Sequence, residues 1–134
     1  MRVFLDTNVL ASGFATRGLC AELLEAVIGE HELLTCEAVL QELQRVLADK
    51  FRLPKPVIAG YIGLLRAEGQ VVAATGLPAI TLSDPDDAPI VACAIAVKAD
   101  AFVTGDKALL DLAAVGGVPI VSPRQFWQTL TGLR

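Results

Sequence analysis

Two acids hold equivalent places near opposite ends of the chain. Asp6 follows the apolar run Val3-Phe4-Leu5 and leads into Thr7-Asn8, and Asp106 comes after Ala101-Phe102-Val103-Thr104-Gly105. A buried parallel strand reads as a continuous apolar run, so both acids are expected at the C-terminal edge of a sheet. In open α/β sheets that edge, where the strand order reverses, is where ligands bind. Thr7 and Asn8 add two further oxygen donors beside Asp6. A hard, oxygen-only donor set of this kind suits Mg²⁺ or Mn²⁺ rather than zinc.

Each acid also has a plainer reading. Asp6 can start a turn or cap the next helix, and Asp106 can be a helix N-cap. Ser83-Asp84-Pro85-Asp86-Asp87 places three acids at a helix start. A charge favourably placed against the helix dipole there contributes about 0.3–1 kcal/mol. One cap and one dipole partner would suffice, and a third like charge repels. Glu42 lies at the edge of an apolar stripe, and periodicity cannot prefer it to Glu37. Carboxylates gathered in one pocket repel strongly unless cations offset them. Divalent ions can do so while activating a water and neutralising an in-line phosphoryl displacement.

Other hydrolytic schemes lack their parts. His31 is the one histidine, flanked by Glu30 and Glu32, and reads as a surface or turn residue. There is no Ser/His or Cys/His pair to assemble around it, no GxSxG and no Walker A loop. Cys20, Cys36 and Cys93 have no CxxC spacing and read as small buried hydrophobes of a reducing compartment. A net charge of −4 argues against holding nucleic acid on a broad basic surface. It leaves nucleic acid open as a substrate, since bound cations reverse the local sign of an acidic pocket. No cationic leader precedes an apolar stretch, and the run 89–97 is short of the roughly 20 residues that cross a bilayer. A soluble, cytoplasmic protein is expected.

The 134 residues, 54% of them hydrophobic, are expected to form a single domain over 1–134. Strands are expected at 1–5, 32–35, 71–73, 101–104 and 118–121. Helices are expected at 19–28, 36–48 (capped by Thr35), 57–67, 86–98, 107–113 and 123–130, with a loop at 76–83. Pro89 and Pro123 fit the first turns of their helices. The alternation gives a three-layer α/β/α fold with a mainly parallel five-stranded sheet.

In order along nearly the whole chain, four segments resemble the PIN domain family of metal-dependent ribonucleases, and within it the VapC-like toxins of toxin–antitoxin pairs. They are Val3 through Leu10, Val39-Leu40-Gln41-Glu42-Leu43, Asp84 through Ala94, and Val103 through Leu110. The resemblance implies a PIN-like fold with Asp6, Glu42, Asp87 and Asp106 as catalytic and metal-ligating acids. Asn8, Thr104 and Asp84 would support them. It implies hydrolysis of an RNA phosphodiester, with Asp6 and Asp106 holding the main Mg²⁺ or Mn²⁺, Asp87 assisting, and Glu42 positioning the nucleophilic water. Ala108 stands where relatives commonly carry another acid, which would weaken a second metal position.

The basic patch Lys50, Arg52 and Lys55 with Phe51, and Lys107 beside Asp106, are candidate RNA-backbone contacts or an ordinary solvated surface. The apolar surplus and the resemblance together imply a homodimer, and the resemblance implies an antitoxin partner over the acidic pocket. The alternative is a PIN-like module that binds RNA or a partner without cutting. A receiver-type signalling domain needs an aspartate after the third strand and a lysine after the last, where Ala74-Thr75 and Ser122-Pro123-Arg124 stand. A haloacid-dehalogenase-like phosphatase would want an aspartate at Asn8.

Overall fold

Strand β1 (Arg2–Leu5) is the centre of the sheet, with Val3, Phe4 and Leu5 wholly buried. In this computed structural model, which describes residues 1–73 and 79–132, β1 leads into α1 (Thr7–Ala15), α2 (Leu19–Glu30), β2 (Glu32–Cys36), α3 (Glu37–Asp49) and α4 (Lys55–Glu68). Then come β3 (Gln70–Val72), α5 (Ala88–Ala96), β4 (Ala101–Val103), α6 (Lys107–Leu110), β5 (Ala114–Val115), β6 (Val118–Val121) and α7 (Pro123–Thr131).

The strand order is β3-β2-β1-β4-β6-β5. The chain builds outward from β1 to β3, then crosses back to lay β4 on the other side of β1. All pairings are parallel except β5 with β6. The reversal therefore falls between β1 and β4, and the gap beyond their C-terminal ends is the natural ligand crevice. Phe4 pairs with Phe102 across this junction, and their rings stack with centroids 5.5 Å apart. That contact helps fix the register that sets Asp6 against the residues after β4. Helices cover both faces, which gives the expected three-layer architecture.

Three expectations need correction. The sheet has six strands among the described residues, the sixth being the two-residue edge strand β5. Residues 7–15 form α1, a helix that the apolar pattern does not predict. Thr35 does not cap α3: the N-cap is Cys36, and Thr35 is fully buried inside β2, paired with Val71. The strand runs one residue further than expected, so the helix starts one residue later. Of the loop expected at 76–83, residues 76–78 lie outside the described residues, and 79–82 carry no regular structure.

The helices that matter for the site are explained by their apolar faces. α3 buries Val39, Leu40, Leu43 and Leu47 on one stripe, leaving Glu42 half-buried at its margin. α5 is apolar almost throughout and buries Ile90 to Ala94, so its N-terminal end with Asp87 is held firmly at the sheet edge. Cys36 and Cys93 are buried and Cys20 half-buried, all as free thiols. Among the described residues no helix is long and apolar enough to cross a membrane.

Candidate active site

Asp6 caps a helix and also lines a cleft. Its Oδ1 accepts from its neighbour Thr7 N–H at 2.8 Å, opening α1, while Oδ2 accepts from the Thr104 hydroxyl at 2.7 Å. The Asp6 N–H in turn donates to the Val103 carbonyl at 2.9 Å, carrying the β1–β4 pairing one residue past the strands. Thr104, itself fully buried, also accepts from the Asp106 N–H at 3.0 Å. One hydroxyl thus ties the two strand-ending acids together. Asp106 caps α6 by accepting from Ala108 N–H through Oδ1, which leaves Oδ2 without a capping role.

Asp87 occupies the N-cap position of α5, yet its side chain makes no capping bond. Asp84 does the local structural work, accepting from the Asp86 N–H at 2.9 Å. The carboxylate of Asp87 is thereby free for another purpose.

Asp6, Asn8, Glu42, Asp84, Asp87 and Asp106 line one cleft of about 450 Å³. Separate pieces of chain deliver them, and all four acids that the resemblance singles out are present. Thr7 does not supply the donor expected of its side chain: it is fully buried and contributes its N–H to Asp6. Asp86 lines a neighbouring depression instead of this cleft. Of the basic residues singled out in the sequence, Lys50 reaches the cleft, and Lys55 lies on an adjoining one. Arg52 and Lys107 are exposed elsewhere. Arg45 and Asp49, which sequence reasoning does not single out, also line the cleft, one and two turns beyond Glu42 on α3. Their signal was the helical spacing from Glu42.

The electrostatics are those of crowded like charges. Burial pushes the Asp6 carboxyl above the ordinary value, with Glu42 and Asp106 adding to the rise, while the bonds from Thr104 and Thr7 oppose it. Asp87 is pushed up to about 6, first by burial and then by Asp6, Asp84, Asp106 and Glu42. Raised carboxyls in a cleft are the state that a bound cation would reverse. All the donors are hard oxygens, as Mg²⁺ and Mn²⁺ require. Among the described residues no three such side chains are gathered closely enough to hold an ion as they stand. The donor chemistry fits a divalent ion, and these side chains would have to rotate toward one another to hold it.

Thr104 offers a direct check of this scaffold. Thr104→Val leaves Asp6 Oδ2 and the Asp106 N–H without their buried partner, and such orphaned groups cost about 1–3 kcal/mol. Urea denaturation should show a loss of that size, and Thr104→Ser should restore most of it. A valine variant as stable as the parent would mean the hydroxyl bridge is energetically idle.

Comparison with known proteins agrees with this layout. A family model described as the PIN domain matches residues 2–108. The fold also matches a crystal structure of VapBC2 from Rickettsia felis bound to a DNA fragment from their promoter. That match has a TM-score of 0.65 over 91% of this chain and 98% of the other, at 16% sequence identity. At that identity the likeness speaks for the fold. No curated protein matches the sequence. With the family match spanning most of the sheet and every acid of the cleft, the chain belongs to the PIN domain family.

Proposed function

We propose that this protein is a divalent-metal-dependent endoribonuclease and the toxin component of a toxin–antitoxin pair, acting in the cytoplasm. The observation that carries the proposal is the convergence of Asp6, Glu42, Asp87 and Asp106 on one cleft at the β1/β4 reversal. In this reading Asp6 and Asp106, tied through Thr104, are the principal ligands for Mg²⁺ or Mn²⁺. Asp87 assists from the α5 terminus, directly or through water. Asn8 and Asp84 complete the rim. When bound, the ion would lower the pKa of a water and offset charge on the scissile phosphate.

The rest is the work of the chain. In this reading Glu42, half-buried on the margin of α3, accepts a proton from the attacking water and orients it. Asp6, held by two hydrogen bonds, cannot swing away from the cleft and so fixes where the phosphate must sit. The buried strand ends beneath exclude bulk water from one side.

The likeness to VapBC2, crystallised bound to a DNA fragment from their promoter, supports an antitoxin partner for this chain as well. Exposed Val57 and Leu64 on α4 support a homodimer, since large apolar side chains on one helix face gain from burial. The test is cleavage of a panel of single-stranded RNAs and tRNAs with Mg²⁺ or Mn²⁺, with EDTA as control. Cleavage that EDTA abolishes is the expected result. RNA binding without cleavage under any divalent ion would point to the binding module instead.

A further inference from the structure

The acidic cleft does not end at the acids. Along α3, Ala38, Glu42, Arg45 and Asp49 recur every three or four residues, with Gln41 beside Glu42, and form the stripe next to the buried one. A second depression, about 640 Å³, opens beside the cleft and shares Glu42 and Arg45 with it. Beyond the shared pair it is lined by Gln41 and Gln44, by Asp86 at the head of α5, and by Ala38 and Ile90. Its size is that of a small-molecule site, typically about 300–1,000 Å³.

Arg45 stands at the boundary of the two spaces. Among the described residues it makes no ion pair, although Glu42 and Asp49 are on the same helix at its own face. Among the described residues, Arg45 and Lys50 alone bring positive charge to the lining of the cleft. A polyanionic chain entering there meets six carboxylates, so a cation on the lining is what favours the phosphate next to the scissile one. The planar guanidinium suits it, because it grips phosphate through two parallel N–H bonds. On the far side of Arg45 the two carboxamides offer donors and acceptors to a base edge. Exposed Ala38, with buried Ile90 behind it, offers a small apolar surface for a base face. The carboxylate of Asp86 only accepts hydrogen bonds when ionised, so it favours a base with an exocyclic amine over uracil.

We infer that the depression between α3 and the head of α5 is a nucleobase subsite. It receives the nucleotide adjoining the scissile phosphate of a single-stranded RNA, with Arg45 clamping the intervening phosphate and Gln41, Gln44 and Asp86 preferring an amino-bearing base. The inference rests on reading the acidic cleft as the place where RNA is cut. Unpaired bases are the ones a protein can splay out and read at their edges, which makes single-stranded RNA the matching ligand.

The test is direct binding, independent of turnover. Short fluorescein-labelled oligoadenylate and oligouridylate are titrated with wild-type protein by fluorescence anisotropy, with Ca²⁺ in place of Mg²⁺, over a series of salt concentrations. Wild type should bind oligoadenylate more tightly. Arg45→Ala should raise Kd roughly tenfold and reduce the salt slope by about 0.7, the share of one phosphate contact on a single strand. Its melting temperature should be unchanged, because Arg45 is exposed. Asp86→Asn, whose carboxamide can donate as well as accept, should erase the preference for oligoadenylate while leaving binding dependent on Arg45.

Oligoadenylate binding that survives Arg45→Ala with the same Kd and slope overturns the subsite. Equal binding of the two oligonucleotides by wild type overturns its base preference. Arg45-dependent binding in a protein that cuts no RNA keeps the subsite and removes the nuclease. Absence of RNA binding by wild type removes both.

Discussion

Replacing Asp6 by asparagine is expected to lower metal-dependent RNA cleavage by at least about 100-fold, since even residues that only support metal ligands cost 10–100-fold when removed. The fold should survive. Asn keeps an oxygen to accept from Thr7 N–H, and its amide can donate to the Thr104 hydroxyl, which rotates to receive it. The variant loses the negative charge and one hard oxygen at the sheet edge where β1 and β4 part. Single-turnover cleavage, with circular dichroism to verify folding, reads this out. Full activity in a folded Asp6→Asn protein would mean that the acids of this cleft do not hold the working ion.

The second large effect concerns stability without metal. Asp87→Asn protein freed of divalent ions is expected to melt above wild type at pH 7–8. The folded carboxyl of Asp87 titrates near 6 against an ordinary 3.8, chiefly through burial and then through Asp6, Asp84, Asp106 and Glu42. Below pH 3.8 the group is protonated in folded and unfolded chains alike. Between pH 3.8 and about 6 the unfolded chain ionises first, so stability falls as pH rises. Above about 6 the whole penalty is present. Asp6, shifted the same way, deepens the fall.

Asparagine carries no charge and removes the Asp87 share. Mn²⁺ at a hundredfold excess over its Kd should stabilise wild type by about 2.7 kcal/mol, a rise on the order of 10 °C. It should leave Asp87→Asn well behind, reversing the ranking. Scanning calorimetry across pH, with and without Mn²⁺, measures both. A wild-type melt that ignores both Mn²⁺ and pH in this window contradicts the electrostatic account.

The strand-ending acids were legible because buried parallel strands announce themselves as unbroken apolar runs, and the residue after such a run must lie at the sheet edge. Glu42 was not legible from periodicity, since Glu37 flanks the same stripe. The structure separates them physically: Glu37 is paired by Arg66 of α4 at 2.6 and 3.0 Å, while Glu42 faces the cleft. The family resemblance singles out Glu42, and the structure puts Glu42 on the lining of the cleft.

Helix α1 was hidden because Thr7 to Ala15 has no polar face to set a helical period, and Thr7 and Asn8 read as site donors. Asp6 serves as cap and as cleft acid at once, so the two readings were never exclusive. The edge strand β5 spans only two residues. Its signal was Gly116-Gly117, a pair with positive φ (57° and 84°) of the kind that closes a two-residue hairpin. Thr104 is expected as the last residue of its strand and, from the resemblance, as support for the acids, with no bond assigned to it. Only the β1–β4 register, which brings it against Asp6 from 98 residues away, reveals it as the link between the acids.

The central claim is that these acids hold a divalent ion, and calorimetric titration of Mn²⁺ into metal-free protein tests it most directly. The prediction is one ion bound per chain by wild type, with binding lost in both Asp6→Asn and Asp106→Asn. No binding by wild type, or undiminished binding by the two folded variants, would contradict it.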